Sequence, residues 1–171
     1  MELLDLYDYQ RRPTGKTMVR GDEHPEGMYP PVVHIVIFRP DGRMLIQQRQ
    51  SFKKGWPNYW DISVGGSAQT GEDSPTAAMR ETREELGLTV DLTGRRPTLT
   101  NCSGGAFDDV YILELPVELS GLRLQPEEVQ SAAFATQEEI FAMIDDGRFI
   151  PYLKSFIMLL FDLHRRGGMV D

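Results

Sequence analysis

The chain has 171 residues, 40% of them hydrophobic and 26% charged, a composition typical of one globular domain with at most a short extension. Acidic residues outnumber basic ones by 26 to 18, and the net charge of -8 argues against binding to a nucleic-acid polymer or an anionic membrane. The only cysteine, Cys102, has no internal disulfide partner, and the acidic start lacks the pattern of a secretory signal. We therefore expect a cytoplasmic protein without a membrane-spanning segment.

The first part of the chain predicts strands. Leu3 to Asp8 and Thr17 to Arg20 flank a turn-rich segment and predict an N-terminal β-hairpin, which a polar, proline-containing loop follows. An Asp-Gly pair at 41–42 predicts a tight turn between two strands. Further short strands are predicted over 32–38, 44–48 and 60–64, the last ending at Gly65 and Gly66.

The second part alternates helices with a strand. A helix is predicted from Pro75 to Leu86, with Asp73 or Ser74 as its cap and Gly87 at its end. A strand is predicted over 110–115, with 117–119 as a continuation. Thr136 and Glu139 have the spacing of a capping box and predict a helix to about residue 146. Pro151 opens a last helix, whose predicted core stripe is Phe156, Leu159, Leu160 and Leu163.

The segment from 72 to 85 is rich in carboxylates. It carries five acids, and at 100° per residue three of them, Glu81, Glu84 and Glu85, fall on one side of the predicted helix. Like charges four positions apart destabilise a helix by roughly 0.2–0.5 kcal/mol, so the arrangement is poor for helix stability alone. Carboxylates are, however, ligands that Mg²⁺ uses when it bridges a protein to phosphates. A solvated acidic face is the alternative interpretation.

The spacing of this segment carries a specific resemblance. Gly66 is followed after five residues by Glu72, and after seven more by the run RETREELGL over 80–88. This pattern resembles the Nudix box at every fixed position, with Thr82 in place of a usual aliphatic residue. The resemblance implies an α/β fold of mixed α+β type: a Nudix α/β/α sandwich with a mixed sheet, extended here by the N-terminal β-hairpin.

The same resemblance implies a hydrolase that cleaves a diphosphate linkage, most often in a nucleoside diphosphate derivative, with Mg²⁺ or Mn²⁺ as cofactor. Phosphoryl transfer depends on positioning and charge neutralisation, which agrees with a carboxylate-rich site. Arg80 is expected to orient Glu84 through their charge pair, and Glu72 to brace the loop. The implied metal ligands are Glu81, Glu84, Glu85 and the Gly66 carbonyl.

The resemblance does not specify the general base, because this residue differs between Nudix families. Glu84 or Glu81 is the first choice, and Glu128 or Glu127, in the loop before Val129, is the second. Asp108 and Asp109 open a predicted strand and are further candidates, although turn acids are common there. The predicted catalytic residues are Glu84, Glu81, Arg80 and Glu128.

Several segments outside the box carry a second resemblance: LDLYD over 4–8, PTGK over 13–16, the strand pair around Asp41 and Gly42, and KKGWP over 53–57 with Trp60. Over most of the chain, from residue 3 to about 160, they resemble the Nudix branch that contains isopentenyl-diphosphate isomerase. That isomerase needs a cysteine where this chain has Gly65, and its metal-binding histidines fall on Ser67 and near Pro30. The full glutamate set argues in addition for hydrolysis. An isomerase-like enzyme and a non-catalytic sensor of diphosphate ligands remain the alternatives.

Arg49 and Lys53 match positions that contact the diphosphate in that branch, and the window 39–54 has five basic residues against one acid. We predict that both bind substrate phosphate, with a solvated surface as the alternative. Trp56 and Trp60 are predicted mainly as core anchors, although stacking on a base or prenyl-like group is also considered. His34, in an apolar strand, is predicted to be a core histidine with its hydrogen bonds satisfied.

The predicted domain organisation is an N-terminal hairpin extension over 1–28, a Nudix hydrolase domain over 29–163 and a C-terminal tail over 164–171. The expected partner is a small-molecule diphosphate, and a homodimer is possible through the edge of the hairpin. Loops around the sheet govern selectivity in such a fold, so the substrate itself is not specified by the sequence.

Overall fold

A computed structural model describes residues 2–167 of the chain, except for the side chain of Ser103, so the end of the predicted tail lies outside the described residues. The strands are β1 (Leu3–Tyr7), β2 (Pro13–Val19), β3 (Pro31–Phe38), β4 (Met44–Arg49), β5 (Trp60–Asp61), β6 (Val64–Ser67), β7 (Leu99–Ser103), β8 (Ala106–Glu114) and β9 (Val129–Ala135). The helices are α1 (Ser74–Leu86), α2 (Gln137–Asp145) and α3 (Lys154–Arg166), with a 3₁₀ turn over Leu119–Gly121.

The strands form two sheets within residues 2–167. Strands β1 and β2 make the predicted antiparallel hairpin, in which Leu4 lies opposite Met18. The larger, mixed sheet has the order β5-β4-β3-β8-β7, while β6 pairs with β3 and β9 pairs with β4. The predicted α/β class, with a mixed sheet and an N-terminal hairpin, is therefore confirmed.

Backbone packing divides the chain into two compact units. The first comprises Met1–His34, Gly65–Glu81 and Thr89–Tyr111, and the second comprises Ile35–Val64, Thr82–Leu88 and Ile112–Asp171. In the first unit, Leu4, Leu6 and Met18 form a small apolar core of the hairpin, against which Met28 packs. In the second, Phe38 of β3 packs edge-on against Phe161 of α3, with ring centroids 4.9 Å apart.

Helix α1 begins and ends where local chemistry predicts. The Asp73 carboxylate accepts a hydrogen bond from the Thr76 amide at 3.0 Å, which satisfies one of the donors left open in the first turn. Gly87 has φ +71°, a left-handed conformation that ends the helix and that few other residues adopt. Helix α2 has the predicted capping box, because both bonds between Thr136 and Glu139 are present.

Other element predictions were wrong in part. The single strand predicted over 60–64 is interrupted at Ser63, which lies between β5 and β6. The Ser63 hydroxyl accepts a hydrogen bond from the Ile37 amide and donates one to the Leu45 carbonyl. Strands β7 and β9 were missed, and residues 117–119 do not continue β8. Helix α3 begins at Lys154 rather than Pro151. Its buried side is Ile157, Leu160 and Phe161, while Leu159 is 42% exposed.

Candidate active site

The three box glutamates lie on one helix but differ in exposure. Glu81 and Glu85, one turn apart on α1, are only 8% and 5% exposed, whereas Glu84 lies on the solvent side. Ala77, one turn before Glu81, is fully buried, and its small side chain leaves room beside the Glu81 carboxylate. A helix does not normally bury carboxylates unless they are paired, hydrogen-bonded or coordinated.

Glu81 lies directly against Gly66. A Cβ atom added at Gly66 would lie 2.1 Å from one Glu81 carboxylate oxygen, so the carboxylate can keep this position only beside a glycine. The same carboxylate is 3.0 Å from the Arg80 guanidinium, which also donates to the Ser67 carbonyl at 3.0 Å. Strand β6, which contains the glycine pair, and helix α1 are thus joined around one buried carboxylate.

Glu72 is held by the same arginine. Arg80 donates to both Glu72 carboxylate oxygens, at 2.8 and 3.0 Å, and the Gln69 amide donates at 2.9 Å. Burial alone would raise the pKa of Glu72, but the bonds from Arg80 and Gln69 outweigh it and lower the pKa. Arg80 thus contacts Glu72, Glu81 and the Ser67 carbonyl, and its expected charge pair with Glu84 stays a prediction.

Glu85 is anchored to strand β4. The Gln47 side-chain amide donates to one Glu85 carboxylate oxygen at 2.8 Å, and Gln47 is itself only 3% exposed. The Glu85 backbone carbonyl accepts from the Gln125 amide at 3.0 Å, so the loop that precedes β9 begins beside this turn of the helix. Sequence reasoning missed Gln47, although a glutamine at a buried strand position is an unusual choice that signals a polar partner.

The predicted phosphate contacts have protein partners. Lys53 and Glu128, predicted separately as a substrate contact and a second-choice base, form an ion pair with a nitrogen-to-oxygen distance of 2.5 Å. The guanidinium of Arg49 lies 3.6 Å from Asp61 and donates to the Gly55 carbonyl at 3.0 Å. The structure therefore brings Lys53 and Glu128 together and ties Arg49 to the loop that follows β4.

Asp108 and Asp109 lie inside β8 rather than at its start, and this corrects the prediction that they open the strand. Asp109 is fully buried and forms a bidentate ion pair with Arg11, while the Thr100 hydroxyl donates to it at 2.6 Å. Burial raises the pKa of Asp109, but its hydrogen bonds, led by those from Arg11, outweigh this effect and lower the pKa. Asp109 is therefore a structural anchor.

His34 is not the satisfied core histidine that we predicted. Its Nε2 lies 3.2 Å from a carboxylate oxygen of Asp108, but its buried Nδ1 has no hydrogen-bond partner. The side chain is also 20% exposed. The cause is its neighbour in β6, because Gly65 offers no side chain that could pair with the ring.

Trp56 is not a core anchor either, since it is 46% exposed. Its φ of 50° and that of Asn58, 64°, are in the left-handed region, which is strained for large side chains. The exposed ring makes an edge contact with Tyr59 at a centroid distance of 5.2 Å. Trp60 is half-buried and borders a cavity of about 370 Å³ with Ile46.

The carboxylates of α1 are candidate ligands for a divalent cation. Among residues 2–167, no three His, Cys, Asp or Glu side chains already converge closely enough to form a metal centre. The donors nevertheless have the right chemistry, because α1 carries three carboxylates and Glu81 lies directly against the backbone of Gly66, which has no side chain to displace it. A hard cation that prefers oxygen ligands fits this donor set.

A family profile described as the NUDIX domain matches residues 28–153, about three quarters of the chain and including the whole of β6 and α1. The chain belongs to the Nudix family. A relative from Listeria monocytogenes, named an uncharacterised Nudix hydrolase, is 47% identical over 163 residues, which are 95% of either chain. Nudix proteins generally use divalent cations such as Mg²⁺ or Mn²⁺.

This Nudix protein is also similar to isomerases and to solved structures. An isopentenyl-diphosphate Delta-isomerase from Cutibacterium acnes is 32% identical over 126 residues, covering 67% of this chain and 62% of the relative. A crystal structure of a Deinococcus radiodurans protein covers 93% of this chain and 97% of its own, with a TM-score of 0.76 and 27% identity. A MutT protein from Methanosarcina mazei, at 19% identity and a TM-score of 0.60, shows the fold alone.

Both the Nudix membership and the kinship with the isomerase branch are therefore confirmed. None of the helices within residues 2–167 combines the length and the apolar character that crossing a bilayer requires.

Proposed function

We propose that the chain is a divalent-metal-dependent hydrolase that cleaves a diphosphate linkage in a nucleoside diphosphate derivative or a related small diphosphate. One observation supports this most: the two glutamates Glu81 and Glu85 are buried on one side of the same helix. Burying two carboxylates one turn apart costs stability even when Arg80 and Gln47 contact them, and such buried acids are concentrated at functional sites. We also propose a cytoplasmic setting and the domain organisation predicted above.

Glu81, Glu84 and Glu85 would hold the cation, with the Gly66 carbonyl as a further ligand. When bound, the cation would neutralise phosphate oxygens and acidify water. Arg80 keeps Glu81 in place through a contact at 3.0 Å, and Gln47 does the same for Glu85 at 2.8 Å. These neighbours orient the carboxylates, as second-layer hydrogen bonds do at other metal sites.

Lys53 and Arg49 would bind the diphosphate. Lys53 is paired with Glu128 in the structure described here, so a phosphate must compete with that carboxylate for the ammonium group. This exchange would release Glu128 at the moment when substrate arrives. Glu84, which is solvent-facing, or Glu81 remains the first choice for taking the proton from water, and Glu128 the second.

Isomerisation is less well supported than hydrolysis. Gly65 occupies the position of the isomerase cysteine, and the only thiol of the chain, Cys102, lies in β7. The similarity to isomerases therefore does not extend to the cysteine that their reaction needs. Proton exchange into isopentenyl diphosphate in heavy water would reveal an isomerase directly.

The test is a Mg²⁺-dependent screen for phosphate products. Nucleoside diphosphates and triphosphates, sugar nucleotides, dinucleotides, coenzyme A and prenyl diphosphates are incubated with the wild type and with Glu84→Gln, Glu85→Gln and Glu138→Gln. The last variant changes an exposed glutamate of α2 and serves as the matched control.

We expect both box variants to lose more than about 100-fold in turnover, since charged groups at such a centre contribute at least that much. The control should keep wild-type activity. Full activity in both box variants at saturating Mg²⁺ would refute the proposal. Tight ligand binding without any product in the wild type would indicate a sensor.

A further inference from the structure

The turn before helix α1 has an unusually complete set of hydrogen bonds. The Glu72 amide donates to the Gln69 carbonyl at 2.9 Å and closes a four-residue turn. Gly71, the third residue of this turn, has φ +84°, a conformation that glycine adopts most readily. The Gln69 amide donates to the Glu72 carboxylate at 2.9 Å, so both ends of the turn are held from within.

The two central amides of the turn are held by the N-terminal hairpin. The Thr70 amide donates to the Leu3 carbonyl at 2.8 Å, and the Gly71 amide donates to the Asp5 carboxylate at 2.8 Å. Asp5 can reach the turn because side chains alternate along β1, and its neighbour Leu4 packs into the small core of the hairpin. All four amides of the turn are thereby satisfied, two of them by the hairpin.

The conformation of this turn decides where the buried carboxylate of α1 lies. Glu72, the last residue of the turn, binds Arg80 through both carboxylate oxygens. Arg80 in turn binds the Ser67 carbonyl and Glu81, which is packed on Gly66. A shift of the turn would therefore move Glu72 and, through Arg80, the carboxylate proposed as a metal ligand.

A second contact fixes the same hairpin at its tip. Arg11, at the turn between β1 and β2, binds the fully buried Asp109 with two parallel bonds. Ser74, the first residue of α1, also hydrogen-bonds to Asp109 and lies 2.8 Å from the Tyr111 hydroxyl. The hairpin is thus attached at two places: at residues 70–71 of the turn and, through Asp109, beside the start of α1.

The hairpin lies outside the segment that matches the NUDIX domain, which begins at residue 28. We propose that it is a working part of the active site and that Asp5 is a positioning residue, which holds the turn over 69–72 and so keeps Glu72, Arg80 and Glu81 in place for metal binding. This inference rests on the proposed function for the metal, whereas the brace, by which Asp5 holds the turn, rests only on the contacts of Asp5, Glu72 and Arg80.

The experiment compares Asp5→Ala, Asp5→Asn and Glu2→Ala with the wild type. Asparagine keeps an oxygen that accepts from the Gly71 amide. Glu2 pairs with Arg20 within the hairpin, so its removal deletes a hairpin carboxylate that does not touch the turn. Amide hydrogen exchange is measured by NMR on the metal-free proteins, with the amides of β3 as a folding control. Mn²⁺ affinity is then measured by calorimetry.

We expect Asp5→Ala to accelerate exchange at Gly71 about tenfold, as loss of one charge-assisted hydrogen bond implies. Its Mn²⁺ affinity should fall by about tenfold, the scale seen for residues that orient metal ligands. Asp5→Asn should restore most of both values, and Glu2→Ala should match the wild type.

Unchanged exchange at Gly71 in Asp5→Ala would overturn the brace. Faster exchange with unchanged Mn²⁺ affinity would overturn the positioning role. A wild type that neither binds Mn²⁺ nor hydrolyses any diphosphate would refute the proposed function alone, and the exchange data would then decide on the brace by themselves.

Discussion

Two adjacent glycines offer a sharp test of the role of Glu81. In Gly66→Ala the new methyl group would lie 2.1 Å from a Glu81 carboxylate oxygen and 2.6 Å from its Cγ. Real Cβ atoms keep at least 3.0 Å from their neighbours, so the whole end of the Glu81 side chain must move by about 1 Å. In Gly65→Ala the methyl group would meet His34 Nδ1 at 3.5 Å, an ordinary contact.

The magnitudes follow from this geometry. Overpacking of this kind costs about 1–3 kcal/mol of unfolding free energy. A displacement of about 1 Å at a reacting centre costs about 100-fold in rate. We therefore expect Gly66→Ala to lose at least that much in kcat/KM and to require more Mg²⁺, while it remains folded. Gly65→Ala should stay within a few-fold of the wild type.

The assay is diphosphate hydrolysis over a series of Mg²⁺ concentrations, with urea unfolding on the same preparations. Wild-type kcat/KM and Mg²⁺ dependence in Gly66→Ala would show that the position of the Glu81 carboxylate does not matter for the reaction. Equal losses in both glycine variants would show that the effect comes from the strand rather than from Glu81.

Two further predictions concern charged side chains. Arg11→Ala should lower the free energy of unfolding by about 2 kcal/mol at pH 7, less than a fully buried pair would because the guanidinium is 36% exposed. The lowered pKa of Asp109 adds stability at pH values above that of the unfolded carboxyl, near 3.9. In urea titrations, the difference in unfolding free energy between the wild type and Arg11→Ala should therefore shrink as the pH falls towards 3. Arg12→Ala is the control and should change the unfolding free energy little at any pH. Lys53→Ala should raise KM about tenfold and leave kcat within twofold, as expected for lost phosphate binding. Lys54→Ala, which changes the exposed neighbour, should leave KM unchanged. Equal KM values for the two variants in steady-state assays would contradict this prediction.

Local signals predicted the parts of the fold that local chemistry controls. Helix α1 follows from its cap at Asp73 and its glycine stop at Gly87, both of which are readable within a few residues. These features need no knowledge of distant segments.

Features that depend on distant segments were not predictable. Strand β9 has only weak alternation and is held by its pairing with β4, whose residues lie 80 to 91 positions earlier along the chain. Arg11 and Asp109 are 98 positions apart, and the pair turns a supposed turn acid into a buried anchor. The exposure of Trp56 depends on a left-handed backbone that its sequence neighbours do not reveal.

The loop that carries Trp56 is also cross-linked by the chain around it. The Gln48 side chain donates to the Asn58 carbonyl at 3.0 Å, and Gln130 donates to the Asn58 side chain at 3.1 Å. The Tyr59 carbonyl accepts from the Arg49 amide at 2.9 Å. An exposed indole on a loop tied at this many points has little backbone freedom left to lose. A molecule that stacks on this indole would therefore bind without a large loss of loop entropy. This favours a flat, rigid binding partner over a flexible one, which would lose entropy of its own.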